Sequence, residues 1–106
     1  NEPEPDIAVL KYRKDYYADK HPDPHDVLLV VEISDTTLAY DREIKLPLYA
    51  LAGIPEFWFV DIHKNELEIH RNPDKDVYKK IEIIRKGDKI VLDKFDLTID
   101  ADQLLL

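Results

Sequence analysis

Short apolar segments separated by polar ones recur along the chain, and most of them have the length and composition of strands. Residues 6–10 (DIAVL) follow a proline and predict a first strand. Residues 27–33 (VLLVVEI) give the strongest signal, because nearly every position is apolar and several are β-branched. Such a segment, apolar on both faces, is typical of a central strand that is covered on both sides. The polar residues 11–26 predict a loop with a helical turn around 15–19.

A helical pattern follows the second strand and ends at Gly53, a residue that suits a helix C-terminus. Residues 34–37 offer several N-cap candidates. Pro47 lies inside the pattern and should bend the helix, because it removes the hydrogen bond to the carbonyl of Glu43. The apolar residues of this segment are spaced to share one helix face: Leu38, Ile44, Leu48, Leu51 and Ala52.

The second half of the chain predicts further strands. Residues 56–62 (EFWFVDI) follow the helix closely, and the order strand, helix, strand favours parallel pairing with a right-handed crossover. Residues 66–71 and 77–84 predict antiparallel strands around a turn at the Asn-Pro-Asp segment 72–74. A short strand at 89–92 and an apolar stretch at 104–106 complete the pattern, which is that of an α/β domain.

The composition fits one soluble globular domain spanning residues 1–106, since 44% of the residues are hydrophobic and 36% are charged. No apolar run approaches the roughly 20 residues that cross a bilayer, so we expect no membrane contact. The absence of cysteine excludes disulfides and thiolate metal sites, and it fits a cytoplasmic protein. The net charge of −8 argues against a simple DNA-binding module, which needs Lys and Arg to displace counterions from phosphates. It argues less against an enzyme whose metal site consists of carboxylates.

Glu32 is the most informative polar residue, because it lies near the end of a strand whose other residues are nearly all apolar. Leu28, Val30 and Glu32 share one face by the two-residue period of a strand. A carboxylate on that face is costly to bury unless a lysine or a divalent metal ion pairs with it. The alternative is a glutamate at a frayed strand end that reaches water.

Asp6 opens the first predicted strand directly after Pro5. Alone, such an aspartate is usually a turn or cap residue. If the first two strands are neighbours, however, Asp6 and Glu32 can approach one another and chelate a hard cation through oxygen. Mg²⁺ suits so short a set of ligands, because it needs only one or two carboxylates besides water and phosphate oxygens.

Lys45 lies on the predicted helix, four residues after Asp41. One interpretation is a surface ion pair between these two residues. The other is that Lys45 points at the acids, where it could orient or deprotonate water and offset charge on a phosphate. Asp41 is then either a further acidic contributor or simply the partner of Lys45. Tyr40 and Tyr49 are interpreted as packing residues.

Other polar and aromatic residues carry weaker signals. His21 and His25 lie in the polar loop and could approach a substrate, whereas His63 and His70 are expected to be exposed. The aromatic residues 57–59 could stack on bases. Core packing explains them better, because adjacent residues of a strand face opposite ways.

Three stretches of the sequence resemble one known family: PEPDIAVLK, DVLLVVEISD and LAYDREIKLPLYALAGIPEFWFVD. On these stretches the chain is identified as a member of the Uma-type nucleases, a large bacterial family within the PD-(D/E)XK superfamily. Residues 38–61 are the most specific part, and the resemblance continues through ELEIHRNP to the tail. It implies a restriction endonuclease-like fold, with a mixed β-sheet and a flanking helix. Family members carry a further N-terminal helix and hairpin, so the resemblance also implies that residues 1–106 are the C-terminal portion of a longer chain.

The resemblance assigns roles residue by residue. Pro5-Asp6 matches the PD element and Glu32 the second acid, so both are expected to bind metal. The usual lysine two residues later is replaced by Ser34; related nucleases supply it from the neighbouring helix, where Lys45 is the candidate. The implied catalytic residues are therefore Asp6, Glu32 and Lys45, with Mg²⁺ or Mn²⁺ as cofactor.

The resemblance implies an endodeoxyribonuclease that hydrolyses DNA phosphodiester bonds, and a homodimer would let two sites cut both strands. Two other functions remain open at this point. The serine at position 34 and the acidic charge favour a catalytically inactive nuclease fold that serves as a binding or assembly module. A purely structural domain, in which the acids never meet, is the other possibility.

Overall fold

The computed structural model describes residues 5–18, 21–35 and 40–106, and for Tyr40 and Asp41 it describes the backbone alone. The described chain contains one α-helix and seven strands, in the order β1 (Ile7–Leu10), β2 (Val27–Ser34), α1 (Tyr40–Leu51), β3 (Glu56–Asp61), β4 (Glu66–Asp74), β5 (Val77–Ile84), β6 (Lys89–Leu92) and β7 (Leu97–Asp100). Short 3₁₀ turns lie at Pro24–Asp26, Asp93–Phe95 and Ala101–Gln103. Nowhere in these residues is there a helix long and apolar enough to span a membrane.

Five strands form the main sheet in the order β1-β2-β3-β4-β5, and β6 pairs with β7 in a separate hairpin. The strands β2 and β3 are parallel and are connected through α1, as the sequence predicts. The other neighbouring pairs of the main sheet are antiparallel. The expected α/β class, a mixed sheet with a flanking helix, is therefore confirmed.

Apolar side chains pack on both faces of this sheet. On one face the β6–β7 hairpin and the last 3₁₀ turn cover a layer that includes Leu29, Trp58 and Ile69. On the other face α1 covers a layer that includes Val30 and Phe57. The strand β2 contributes to both layers, so the prediction of a central strand covered on two sides is confirmed. Burial of each such side chain stabilises the fold by roughly 1.5–3 kcal/mol.

The β4–β5 hairpin turns later in the chain than the sequence predicts. Pro73 pairs with Tyr78 and Asp74 with Val77, so the predicted turn at residues 72–74 is wrong. The chain reverses instead at residues 75–76, where Lys75 has a φ of 58°. Proline is tolerated there because β3 pairs with β4 only as far as Arg71, so the missing N–H of Pro73 breaks no bond of that ladder.

The helix α1 turns a side of mixed polarity toward the sheet, with Leu46 and Ala50 packed in the core layer beside charged residues. An apolar helix face normally packs against the core, but Ile44, Leu48 and Leu51 are 45%, 40% and 64% exposed, and Leu38 lies outside the described residues. The residues that face the sheet include Tyr49 and the charged side chains described below. The helix therefore leaves part of its apolar surface exposed and brings polar groups to the sheet.

The end of α1 follows the prediction. Gly53 has a φ of +76°, where a residue with a side chain is strained, and its N–H donates to the carbonyl of Ala50. The N–H of Ile54 donates to the carbonyl of Tyr49, which completes the cap. Pro47 lies inside the helix as expected, and the bend there stays a prediction.

Candidate active site

The carboxyl ends of the parallel strands β2 and β3 form one edge of the sheet, where Ser34 pairs with Asp61. The antiparallel strands β1 and β4 begin at this edge. Open α/β sheets commonly bind ligands at such an edge. The described residues that the topology places there are strongly acidic: Asp6, Glu32, Asp35, Asp61, Glu66 and Glu68.

Glu32 lies at the centre of this group. It is 4% exposed and points to the same face as Val30, beneath α1. Lys45 Nζ donates a hydrogen bond to its Oε1 at 3.0 Å, and the Tyr49 hydroxyl donates to its Oε2 at 2.6 Å. The alternative of a glutamate that reaches water is therefore wrong. A buried carboxylate is costly unless it is paired in this way.

Lys45 and Tyr49 are four residues apart, so they lie one above the other on the same helix face. The Lys45 side chain is 28% exposed, so it lies partly at the surface, whereas the glutamate that it bonds is buried. The structure thus brings Lys45 to Glu32, as the second interpretation expects. The side chain of Asp41 lies outside the described residues, so its predicted roles stay predictions.

Tyr49 both packs in the core and contacts the candidate site. Its ring lies 5.3 Å from that of Phe57, in agreement with the packing prediction, while its hydroxyl contact with Glu32 was not predicted. Burial, together with the hydrogen bond to Glu32, raises the pKa of Tyr49 well above its usual range. The hydroxyl therefore stays protonated and continues to donate. Its spacing of four residues from Lys45 was the available sequence signal.

Asp6 lies beside Glu32 on the neighbouring strand. Its Oδ2 accepts a hydrogen bond of 2.7 Å from the backbone N–H of Ile33. Ile7 pairs with Val31, so Asp6, which directly precedes β1, lies next to the end of β2 that carries Glu32 and Ile33. The charge of Asp6 also contributes to the raised pKa of Tyr49, hence both carboxylates act on one hydroxyl. The two acids therefore lie at the same edge of the sheet, and direct contact between their carboxylates stays a prediction.

The chemistry of these donors fits a hard divalent cation. An ionised carboxylate has about four acceptor sites, and Glu32 and Asp6 use two and one of them in the bonds described above. No group of three or more His, Asp or Glu residues suited to a metal occurs in the described ranges. Mg²⁺ is typically bound by one or two carboxylates together with water and phosphate oxygens. Two carboxylates are too few to fill the coordination shell of a cation with protein ligands alone.

The histidines divide between the two ends of the sheet. His21 and His25 precede β2, at the end opposite Glu32. His63 contacts the backbone carbonyl of Asp35 at the acidic edge and is exposed, as expected. His70 is 3% exposed, so the prediction that it lies at the surface is wrong. The reason is that its strand, β4, lies inside the sheet with its helix-side face covered by α1.

A second paired glutamate was missed by the sequence analysis. Glu68 lies on the helix face of β4, and its strand partner is Phe59, which pairs in turn with Glu32. Arg42 Nη1 donates to Glu68 Oε2 at 2.6 Å, and His70 Nε2 lies 3.0 Å from Oε1. The hydrogen bond from His70, with help from Arg42, holds the pKa of Glu68 below its usual range despite burial.

The aromatic residues 57–59 are core residues, as predicted. Phe57, Trp58 and Phe59 are 0%, 6% and 3% exposed, so no ring is available to stack on a base. Phe57 instead stacks on His70 at 5.4 Å between ring centroids. The three aromatic residues therefore belong to the core layers of the sheet and do not form part of the surface of the site.

The chain matches a known protein family. A family model described as "Uma2: Putative restriction endonuclease" matches residues 1–102, which is nearly the whole chain. No curated protein matches the chain.

Proposed function

Because the chain belongs to the Uma2 family, we propose that it is a metal-dependent endonuclease that hydrolyses DNA phosphodiester bonds. The observation that carries this proposal is the environment of Glu32. A glutamate is buried beneath a helix, beside a second carboxylate, and is held by an ammonium and a hydroxyl from that helix. Such a cluster is costly for stability, and a hydrolytic site explains why the chain has it.

Each residue has a role that follows from its contacts. Asp6 and Glu32 would hold the cation, Mg²⁺ or Mn²⁺, while Tyr49 and Lys45 fix the orientation of the Glu32 carboxylate. A divalent cation held in this place would supply Lewis-acid chemistry, which polarises a phosphate and lowers the pKa of bound water. The part-exposed ammonium of Lys45 stabilises the negative charge that develops on the phosphate oxygens.

The replacement of the usual lysine by Ser34 favours the rival function, an inactive nuclease fold that serves as a binding or assembly module. Ser34 is 6% exposed and sits at the carboxyl end of β2. The ammonium of Lys45 supplies the missing charge from the helix, which is why we prefer the enzyme. We further propose a cytoplasmic protein that acts as a homodimer, because two sites are needed to cut both DNA strands together.

Nicking of supercoiled plasmid with Mg²⁺ or Mn²⁺, against EDTA, tests the proposal. The Glu32→Gln and Asp6→Asn variants should lose activity by about 10³-fold, since Lewis-acid stabilisation is worth several kcal/mol and each 1.36 kcal/mol is a factor of ten. Lys45→Ala should lose about 10²-fold. Glu56→Gln is the matched control, because Glu56 is also buried and paired but lies far along β3 from the acidic edge.

Two outcomes would contradict the proposal. If Glu32→Gln cleaves as fast as the unmodified protein, the cleavage comes from another nuclease in the preparation. If the unmodified protein binds DNA and does not cut it with either metal, the binding module is the better function.

A further inference from the structure

Arg42 is the second cation that α1 directs to the sheet. It lies three residues before Lys45, so the two side chains are neighbours on one helix face, with about 5–6 Å between their Cβ atoms. Its guanidinium lies over the ring of Phe59, 5.7 Å from the ring centroid. Since Phe59 pairs with Glu32, Arg42 stands one strand away from the candidate active site, on the same face of the sheet.

Arg42 is a positive side chain next to a strongly acidic edge of the sheet. The edge of the sheet is acidic and the whole chain carries a net charge of −8, so it repels a polyanion. Binding of DNA nevertheless needs basic side chains that displace counterions from phosphates. Any substrate that reaches Glu32 must therefore meet local cations, and Arg42 and Lys45 are the ones that α1 brings to this face.

The contacts of Arg42 orient its side chain and leave donors for a ligand. Within the described chain Glu68 engages Nη1 alone, whereas a guanidinium has five N–H donors in a planar fork. Arg42 is 27% exposed, more than Glu68 at 12%, so the arginine is open to solvent while its anchor is not. His70 holds Glu68 from the other side, which fixes the anchor. A pre-oriented guanidinium of this kind suits a phosphate, which arginine binds through two parallel hydrogen bonds.

We propose that Arg42 binds a backbone phosphate of DNA next to the phosphate that is hydrolysed, and that Glu68 and His70 position it. This inference rests on the proposed endonuclease function, since it takes DNA as the substrate. It adds a phosphate-binding residue outside the set of Asp6, Glu32 and Lys45.

Fluorescence anisotropy of a labelled duplex in EDTA, over a series of NaCl concentrations, tests the proposal without hydrolysis. Arg42→Ala should raise the Kd about tenfold and lower the slope of log K against log salt by about one, as expected for one lost phosphate contact. Arg42→Lys keeps the charge but not the fork, so it should keep the slope and lose part of the affinity.

Arg13 offers a closely matched control. It also pairs with an acid, Asp15, at 3.1 Å, lies over an aromatic ring, that of Tyr17, and is 30% exposed. It follows β1 and therefore lies at the opposite end of the sheet from Asp6. Arg13→Ala should leave both the Kd and the salt slope unchanged.

A positioning variant separates orientation from charge. Glu68→Gln removes the charged anchor but leaves Arg42 in place, so it should keep the salt slope of the unmodified protein, in contrast to Arg42→Ala. Circular dichroism of each variant shows that the fold is retained, and Arg42→Lys carries the test if Arg42→Ala unfolds.

The outcomes distinguish this inference from the proposed function. Equal Kd values and salt slopes for Arg42→Ala and Arg13→Ala, in a protein that binds DNA, overturn the role of Arg42 alone. A clear Arg42 effect without any metal-dependent cleavage overturns hydrolysis and leaves the phosphate contact standing. Absence of DNA binding by the unmodified protein overturns both.

Discussion

Two buried glutamates, Glu32 and Glu56, have nearly the same local chemistry and lie in different parts of the sheet. They are 4% and 7% exposed. Each accepts one hydrogen bond from an aromatic side chain and one from a basic side chain. For Glu56 these donors are Trp58 Nε1 at 3.0 Å and Arg71 Nε at 3.2 Å, a pattern that mirrors the tyrosine and lysine around Glu32.

The surroundings of the two basic partners differ. Arg71 also donates to Glu82 on β5 and to the backbone carbonyl of Val91 on β6, so it ties four strands together. It is 18% exposed, and each of its three nitrogens, Nε, Nη1 and Nη2, donates to an acceptor of the chain. The comparison teaches that burial and pairing alone do not identify a functional acid. A more exposed basic partner and a place near the carboxyl ends of the parallel strands, which Glu32 has and Glu56 lacks, separate a candidate site from a structural ion pair.

Stability should separate the two glutamates most strongly. Glu56→Gln leaves Arg71 with fewer charged partners in a largely buried place, so it should lower the free energy of unfolding by about 2–3 kcal/mol. Glu32→Gln should change it by no more than about 1 kcal/mol, because Lys45 can turn to solvent and repulsion from Asp6 is relieved. Urea unfolding followed by circular dichroism measures both values.

The nicking assay gives the opposite order for the same pair, since only the Glu32 variant should lose activity. Equal losses of stability in the two variants, or a larger loss for Glu32→Gln, would contradict the distinction between a structural ion pair at Glu56 and a functional site at Glu32. The Lys89–Asp100 pair provides a baseline: both side chains are more than half exposed, so Lys89→Ala should change the free energy by less than about 1 kcal/mol.

Two buried tyrosines allow a finer test. Tyr49 donates to Glu32, and Tyr78 donates to the backbone carbonyl of Ile54 at 2.7 Å. Burial raises the pKa of Tyr78 as it does that of Tyr49, so both hydroxyls stay protonated. Tyr49→Phe and Tyr78→Phe should each cost about 1–2 kcal/mol of stability, because each deletes one buried hydrogen bond.

Cleavage distinguishes the two tyrosine variants. Tyr49→Phe leaves the Glu32 carboxylate held by Lys45 alone and should lower the cleavage rate about tenfold, as loss of a hydrogen bond to a metal-binding carboxylate does. Tyr78→Phe should cleave like the unmodified protein. Equal rates in the two variants, measured at temperatures where both are folded, would assign Tyr49 to packing alone.

The local strand pattern was readable from the sequence because alternation and β-branching leave a strong signal. The segment 77–84 coincides with β5, and the parallel pairing of β2 with β3 follows from the strand-helix-strand order. The turn was misplaced because Asn72 and Pro73 are typical turn residues. In the structure they belong to β4 and lie beyond Arg71, the last residue of β4 that pairs with β3. The strand β7 was missed because its four residues, LTID, are half polar, whereas the equally short β6, KIVL, contains three consecutive apolar residues.

The candidate site was only partly readable, for a physical reason. Glu32 is conspicuous because a charge interrupts an apolar strand, and Asp6 gains meaning once the strands are neighbours. The side of α1 that faces the sheet carries Lys45 and Tyr49, which both bond to Glu32. The apolar spacing of the helix predicted that Ile44, Leu48 and Leu51 face the core, whereas the structure buries the side that carries Tyr49. Partners such as Arg42 and Glu68 come from distant parts of the chain and leave no local signal.

The position of a bound cation tests the central claim most directly. Crystals of the protein soaked in Mn²⁺, with data collected at a wavelength where manganese scatters anomalously, locate the ion without reference to any assay. The account predicts an anomalous peak in contact with carboxylate oxygens of both Asp6 and Glu32, and its loss in crystals of Glu32→Gln but not of Glu56→Gln. A peak elsewhere in the molecule, or none between these two carboxylates, would contradict it.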